Sequence, residues 1–271
     1  MKQSIKLLSA GLVLLLGATL GCSKQINFLK ARNELNRGVR AFEAANFAAA
    51  AEYFTAALEH DPELLAARTY RASSYMMQYV PGSSSPENLK IADDALKGFD
   101  EVLKLDPNNQ LAMASVASLY YNMEKAAEAK EWNMKLIKAF PDNSAAYYTI
   151  GVIDWGQSYK RTQEVRAGIG MRQEEPGPIK DAKQRAALAE ELKPIQDEAL
   201  QMFNKALELN PDYEEAMNYI NLTYRQMAEV APSNEEFERL SSVAEEWVQK
   251  TLDTRKRLAE ASSRDLISAD E

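Results

Sequence analysis

Apolar positions recur three and four residues apart along most of the chain, as in Ala50, Phe54, Ala57 and Leu58, the spacing that gathers side chains on one face of a helix. These stripes stop at prolines after closely similar endings: AALEHDP to Pro62, EVLKLDP to Pro107, KLIKAFP to Pro141 and KALELNP to Pro211. Proline donates no backbone hydrogen bond and clashes with the preceding turn, so each marks a helix end. One stretch has no polar face at all. Residues 7–20 are almost wholly apolar and run up to Gly21 and Cys22.

The prolines carry a period. Pro107 and Pro141 stand 34 positions apart, while the other two gaps are 45 and 70. Upstream of each proline the small and aromatic positions keep step: Ala50, Phe54, Ala57; Ala95, Phe99, Val102; Ala129, Asn133, Leu136; Ala199, Phe203, Ala206. Earlier in the units Gly38 and Gly151 share a step with the small residues Ala72 and Ala117, and Tyr75 and Tyr120 follow the latter pair. At these residues the chain resembles the tetratricopeptide repeat (TPR) family, whose period is 34. The resemblance implies an all-α, right-handed solenoid of about five helical hairpins, each covering its apolar side only by stacking on its neighbours. The repeats are expected at about 31–64, 65–109, 110–143, 144–213 and 214–255, with 256–271 a helix end and polar tail. Asn133 departs from the aromatic pattern, and Trp132 beside it is expected to supply the bulk.

The extra residues fall between helix A and helix B of a repeat. VPGSSSPEN, 80–88, has the chemistry of a loop, with Ser85 or Asn88 placed to cap the next helix. VAPSNEEF, 230–237, holds Ser233 three residues before Glu236, a capping-box spacing. The insertion 157–193 is long and charged, and its strong breakers are confined to Gly168, Gly170 and EPGP at 175–178. It reads as continuations of both helices into a spike of roughly 18–22 Å beyond the repeat. Its mildly basic arms make it a candidate docking element, and Pro194 is expected to kink the returning helix.

Composition narrows the chemistry. Net charge is −8 with no dense block of Lys or Arg, which disfavours nucleic acid. One Cys excludes an internal disulfide, and with one His, His60, it removes the usual zinc sets, so neither metal nor cofactor is expected. GIGMRQ at 168–173 lacks the third glycine and the preceding strand of a dinucleotide loop. No GxxxxGK[ST] occurs, and one His cannot make HExxH. His60 reads as a packing residue in the last turn before Pro62. No enzymatic activity is expected.

Met1, Lys2, Lys6, the apolar run and Gly21 have the layout of an export signal. Residues 1–21 with Cys22 resemble a bacterial lipoprotein signal, although Thr19 and Leu20 stand where that family prefers Leu and a small residue. The resemblance implies lipidation of Cys22, a short tether over 22–30, and a body facing the periplasm. Ser23 rather than Asp after the cysteine favours the outer membrane in hosts with the well-known Gram-negative sorting system. Removing 1–21 takes away Lys2 and Lys6 and no acid, so −8 becomes −10.

In TPR proteins helix A lines the concave groove. Carried over, the resemblance places Tyr70, Met76, Tyr121, Tyr148, Trp155, Asn218 and Tyr219 in or beside it. Leu35 and Val39 occupy the places of a carboxylate clamp, which is therefore not implied. The groove suits an extended or helical protein segment, with Tyr121, Tyr148 and Trp155 as anchors. The leading functional reading is a lipid-anchored scaffold for protein partners in a bacterial envelope complex. It is similar in architecture to the repeat lipoprotein of the outer-membrane β-barrel assembly machine and to type IV pilotins. The alternatives are an envelope receptor for a glycan or peptide nutrient and, remotely, an enzyme of unrecognised type.

Overall fold

A computed structural model describes residues 25–172, 175 and 177–269, with side chains to 262; the expected signal segment and Cys22 lie outside them. The described residues form ten helices packed as sequential hairpins, the arrangement of a TPR array: α1 (25–43), α2 (Phe47–His60), α3 (Leu65–Met76), α4 (Pro86–Leu105), α5 (Gln110–Asn122), α6 (Ala126–Ala139), α7 (Ser144–Gly168), α8 (Ala182–Leu209), α9 (Glu214–Glu229) and α10 (Asn234–Ala269). Residues 25–30, expected as tether, already belong to α1, and α10 runs to Ala269 within the segment expected as a helix end and polar tail. The chain divides into two compact units after Ala129.

In the first unit α2 packs on α3, α3 on α4, and α4 on α5. Helices α2 and α4 stop two residues short of Pro62 and Pro107. Asn46 and Asn109 then start α2 and α5, accepting from the N–H groups of Ala49 and Ala112 at 3.3 and 3.0 Å. Gly38 lies against Phe54, and a Cβ there would sit 2.5 Å from the fully buried ring. Hairpin α3/α4 solves the same crowding with Ala72 facing Gly98, where an added Cβ would come within 2.8 Å of the alanine methyl. The compact turns α1/α2 and α5/α6 each end on a non-glycine residue with positive φ, Ala45 at 56° and Glu124 at 58°. Asn46 and Lys125 close these turns by donating to the Ala41 and Tyr120 carbonyls, both at 2.9 Å. The longer α3/α4 loop is organised by Asn88, which bonds both backbone groups of Val80 and the Ser83 carbonyl at 2.8–2.9 Å. Ser85 is the cap, accepting from the Asn88 N–H at 3.2 Å.

In the second unit α7 packs along α8, and α9 packs on α7, α8 and α10. Gly151 meets Phe203 as Gly38 meets Phe54, with an added Cβ 2.6 Å from the ring. Asn133 is itself buried, at 3 % exposure, while Trp132 stays half-exposed beneath the Lys135 ammonium, 4.2 Å from its ring centroid. Ser233 caps α10 through the Glu236 N–H at 3.2 Å, but Glu236 turns to Arg239 rather than back to the cap.

The 157–193 insertion extends α7 and α8 by twelve residues each, about 18 Å. It is not a free spike. Ile179, Leu188, Leu192 and Val230 form a core of their own, so the hairpin lies against the end of α9. The Ile179 N–H donates to the Glu229 carbonyl at 2.8 Å. Arg166, 3 % exposed, donates to the Glu229 carboxylate at 2.9 Å and to the Arg172 and Glu175 carbonyls at 3.0 and 2.6 Å. Lengthening of α9 and the loop after it supplies this support, so the two late insertions are structurally paired. Arg161, Arg166, Lys180 and Lys193 are ion-paired with carboxylates, which accounts for half of the arm's eight basic residues. Helix α8 continues through Pro194.

Candidate partner-binding surfaces

Side chains expected on the groove divide between the two units. In the first, α3 neighbours α1 and α5. Tyr70 is 39 % exposed, yet its ring stacks on Phe54 at 5.4 Å and meets Phe42 edge-on at 5.7 Å. Met76 packs on Ala92, Ala95 and Leu119 and belongs to the hairpin core. Helix α5 differs in leaving Leu111 and Tyr121 at 58 % and 43 % exposure, with Ser118 exposed on the same helix. Its buried face carries Ala112, Val116 and Leu119 instead. A groove of about 390 Å³ that sequence reasoning missed runs between α2 and α3, lined by Glu52, Thr55, Glu59, Tyr75 and Gln78 among others.

In the second unit, Tyr148, Trp155 and Tyr219 come together, but largely to cover one another. The Tyr219 ring stacks on Phe203 at 5.6 Å and meets Tyr148 and Trp155 edge-on at 5.7 and 5.1 Å. Trp155 also stacks on Tyr159 at 5.2 Å, and Tyr148 lies 4.9 Å from Tyr213. These rings pack against the core of Val152, Ala199, Phe203 and Ile220. Burial raises the Tyr213 phenol, with the Glu215 charge adding to the effect. Asn218 is exposed on α9, on a face continued by Glu215, Leu222 and Arg225.

Beneath the aromatic cluster lies a polar core for which GVIDWG held the one signal, an acid inside an apolar stretch. Asp154 is 1 % exposed and accepts from the Lys130 ammonium at 2.7 Å, which also bonds Glu198 at 3.0 Å. Its second oxygen has no hydrogen-bond partner among the described residues. Burial raises the Asp154 carboxyl despite the lysine, and Glu198 raises it further. The Gln196 amide donates to the Ser158 hydroxyl at 3.1 Å between α7 and α8. Asp154, Ser158 and Gln196 are buried, while Lys130 and Glu198 reach solvent. Among the described residues no cluster of three metal-ligating side chains occurs. His60 sits half-buried in the last turn of α2.

No family model matches the sequence, and no curated protein matches it. Solved structures do. A MamA crystal structure aligns with TM-score 0.55 at 15 % identity over 85 % of this chain and 94 % of its own. MamA from Desulfovibrio magneticus RS-1 aligns at 0.52 and 15 % over 84 % and 96 %. YrrB, a TPR protein with an unusual peptide-binding site, aligns at 0.50 and 15 % over 85 % and 90 %. The chain has a TPR fold. At this identity the likeness concerns the fold alone. Among the described residues, no helix is long and apolar enough to cross a membrane.

Proposed function

We propose that this chain is a lipid-anchored TPR adaptor, held through Cys22 at the periplasmic side of the outer membrane, that presents helix-A faces of a right-handed repeat array to protein segments in an envelope complex. The observation that carries the binding half is the α5 face. Leu111 and Tyr121 remain 58 % and 43 % exposed while the opposite face of the same helix is packed. Apolar and amphipathic side chains held rigidly in solvent on a buried scaffold suit an extended or helical segment, which the aromatic ring anchors at small entropic cost. The YrrB fold, with its peptide-binding site, supports the same use of the architecture. The anchoring half is supported by the apolar run ending at Gly21 and Cys22.

Affinity capture of the intact chain from detergent-solubilised envelopes tests the adaptor, with the recovered protein then purified and titrated directly. Leu111→Ala with Tyr121→Ala is expected to abolish that titration while helicity is unchanged. Saturable binding of an oligosaccharide with no protein partner would sink the reading. Cys22→Ser is expected to move the body to the soluble fraction.

A further inference from the structure

The start of α1 carries a feature that neither hairpin packing nor partner binding uses. Ile26, Phe28 and Leu29 are 51 %, 48 % and 62 % exposed. At 100° per residue, these positions cannot share one narrow stripe, so the helix tip presents apolar surface on several sides. The geometry of the hairpin explains the exposure. The described part of α1 has 19 residues against 14 in α2, and the turn at 44–46 folds them antiparallel. The last residue of α2 therefore comes level with about residue 30, and what precedes it stands past the end of its partner.

The charges on this tip are equally one-sided. Over 25–33 the sequence holds Lys30 and Arg32 and no acid, within a chain of net charge −8. The Arg32 guanidinium lies 5.5 Å from the Phe28 ring centroid, and neither cation has a carboxylate partner among the described residues. Exposed aliphatic and aromatic groups rimmed by free cations are the composition of a segment lying at a bilayer interface. The apolar groups enter the headgroup boundary there, and the long basic side chains reach anionic phosphates.

We infer that the first turns of α1, through Ile26, Phe28, Leu29, Lys30 and Arg32, dock on an anionic lipid surface. The inference rests on the anchored reading in one respect: Cys22 is four residues from Ile26, a reach of at most about 14 Å. With the acyl chains inserted, this tip cannot leave the surface, so the contact adds a second point that fixes how α1 meets the bilayer. The negative remainder of the body is repelled by the same headgroups, which confines the contact to this end.

The test labels position 29 in the membrane-purified protein. In Leu29→Cys the new thiol is the only one free if Cys22 is acylated, so an environment-sensitive fluorophore attaches once. Two labels per chain would refute the anchor without touching the inference, which is then read in Leu29→Cys with Cys22→Ser added to the same vesicles. In phosphatidylglycerol/phosphatidylethanolamine vesicles the label is expected to be quenched by a bilayer-confined quencher and shielded from iodide, relative to the same label at exposed Asn108. Lys30→Glu with Arg32→Glu is expected to weaken the unlipidated chain's vesicle partitioning by at least about fivefold per cation. Circular dichroism checks that α1 persists. Equal iodide access at 29 and 108, equal partitioning of the unlipidated chain into uncharged phosphatidylcholine, or shielding of 29 without vesicles would each overturn the inference.

Discussion

The Arg166 guanidinium and the Glu229 carboxylate, 63 positions apart in the chain, meet at 2.9 Å with the arginine 3 % exposed. The same guanidinium holds two carbonyls of the reversing loop, so one side chain ties the extended α7/α8 hairpin to its own turn and to α9. Burial raises the Glu229 carboxyl, and the Arg166 charge and hydrogen bond offset that rise only in part.

Arg166→Ala is therefore expected to loosen the hairpin tip by about 3 kcal/mol, because it leaves a mostly covered carboxylate and two carbonyls uncompensated. Amide exchange at Ile179, which donates to the Glu229 carbonyl, is the local readout. It should accelerate at least tenfold while amides of α2 through α4 hold their rates. Arg166→Lys should not restore protection, since a point charge cannot serve three acceptors in a plane. Unchanged exchange at Ile179 would show that the apolar contacts of Leu188, Leu192 and Val230 suffice.

Small residues facing large ones predict a second set of outcomes. Gly38→Ala and Gly151→Ala each push a methyl into a fully buried phenylalanine ring. The overpacking cost of about 1–3 kcal/mol is expected to exceed the gain in helix propensity. In α3/α4 the partners are Ala72 and Gly98, so Gly98→Ala should destabilise and Ala72→Gly added to it should recover part of the loss. Urea midpoints for the four-corner cycle decide it, and strict additivity would exclude contact between the pair.

Much of the fold was legible because the repeat writes the same contact several times. The steps shared by Gly38 and Gly151, and by Phe54 and Phe203, became real close approaches, and Ser85 and Ser233 became caps. What failed to show were contacts made once. The docking of 157–193 depends on Val230 and Glu229, whose proximity no local pattern encodes. Tyr148 and Trp155 were expected as anchors on a groove, and their ring-to-ring contacts with Tyr213, Tyr159 and Tyr219, while both stay partly exposed, are a second thing that no local pattern encodes. Removing both would injure the core of the second unit, so loss of binding in such a variant would be uninformative. Leu111 and Ser118, which with Tyr121 stand at positions the TPR resemblance turns to the groove, are exposed on α5 while its opposite face is packed.

The left-handed residues Ala45 and Glu124 give a third prediction. Each terminates a compact hairpin turn at a φ near +57° where an L side chain is disfavoured by about 1–2 kcal/mol. Glycine avoids that penalty but loses more backbone entropy on folding. The balance favours Ala45→Gly and Glu124→Gly as stabilising by about 0.5 kcal/mol each. Ala45→Val should destabilise, since branching worsens the same clash. Thermal melts of the three variants provide the measurement. Destabilisation by both glycines would mean that entropy dominates at these turns.

Asp154 supplies a pH dependence opposite to that of an ordinary surface carboxylate. Burial raises its folded-state pKa although Lys130 lowers it, so the native chain holds a proton that the unfolded chain releases. The contribution of this group to stability is then greatest below the unfolded value of about 4 and declines as pH rises from there through the raised folded value. Desolvation lowers the facing Lys130, but its hydrogen bonds to Asp154 and Glu198 and the charges of both acids together raise it. That contribution is present below the ordinary lysine range and lost only as pH rises through the raised value, so it is constant across the acid window. Asp154→Asn removes the carboxyl titration and leaves Lys130 its Glu198 partner at 3.0 Å. The stability difference between the variant and the wild type should therefore move in asparagine's favour as pH rises from about 4 through the raised folded value. Urea midpoints at half-unit pH steps measure it. A difference moving the other way would mean that Lys130 attraction, not burial, governs the carboxyl.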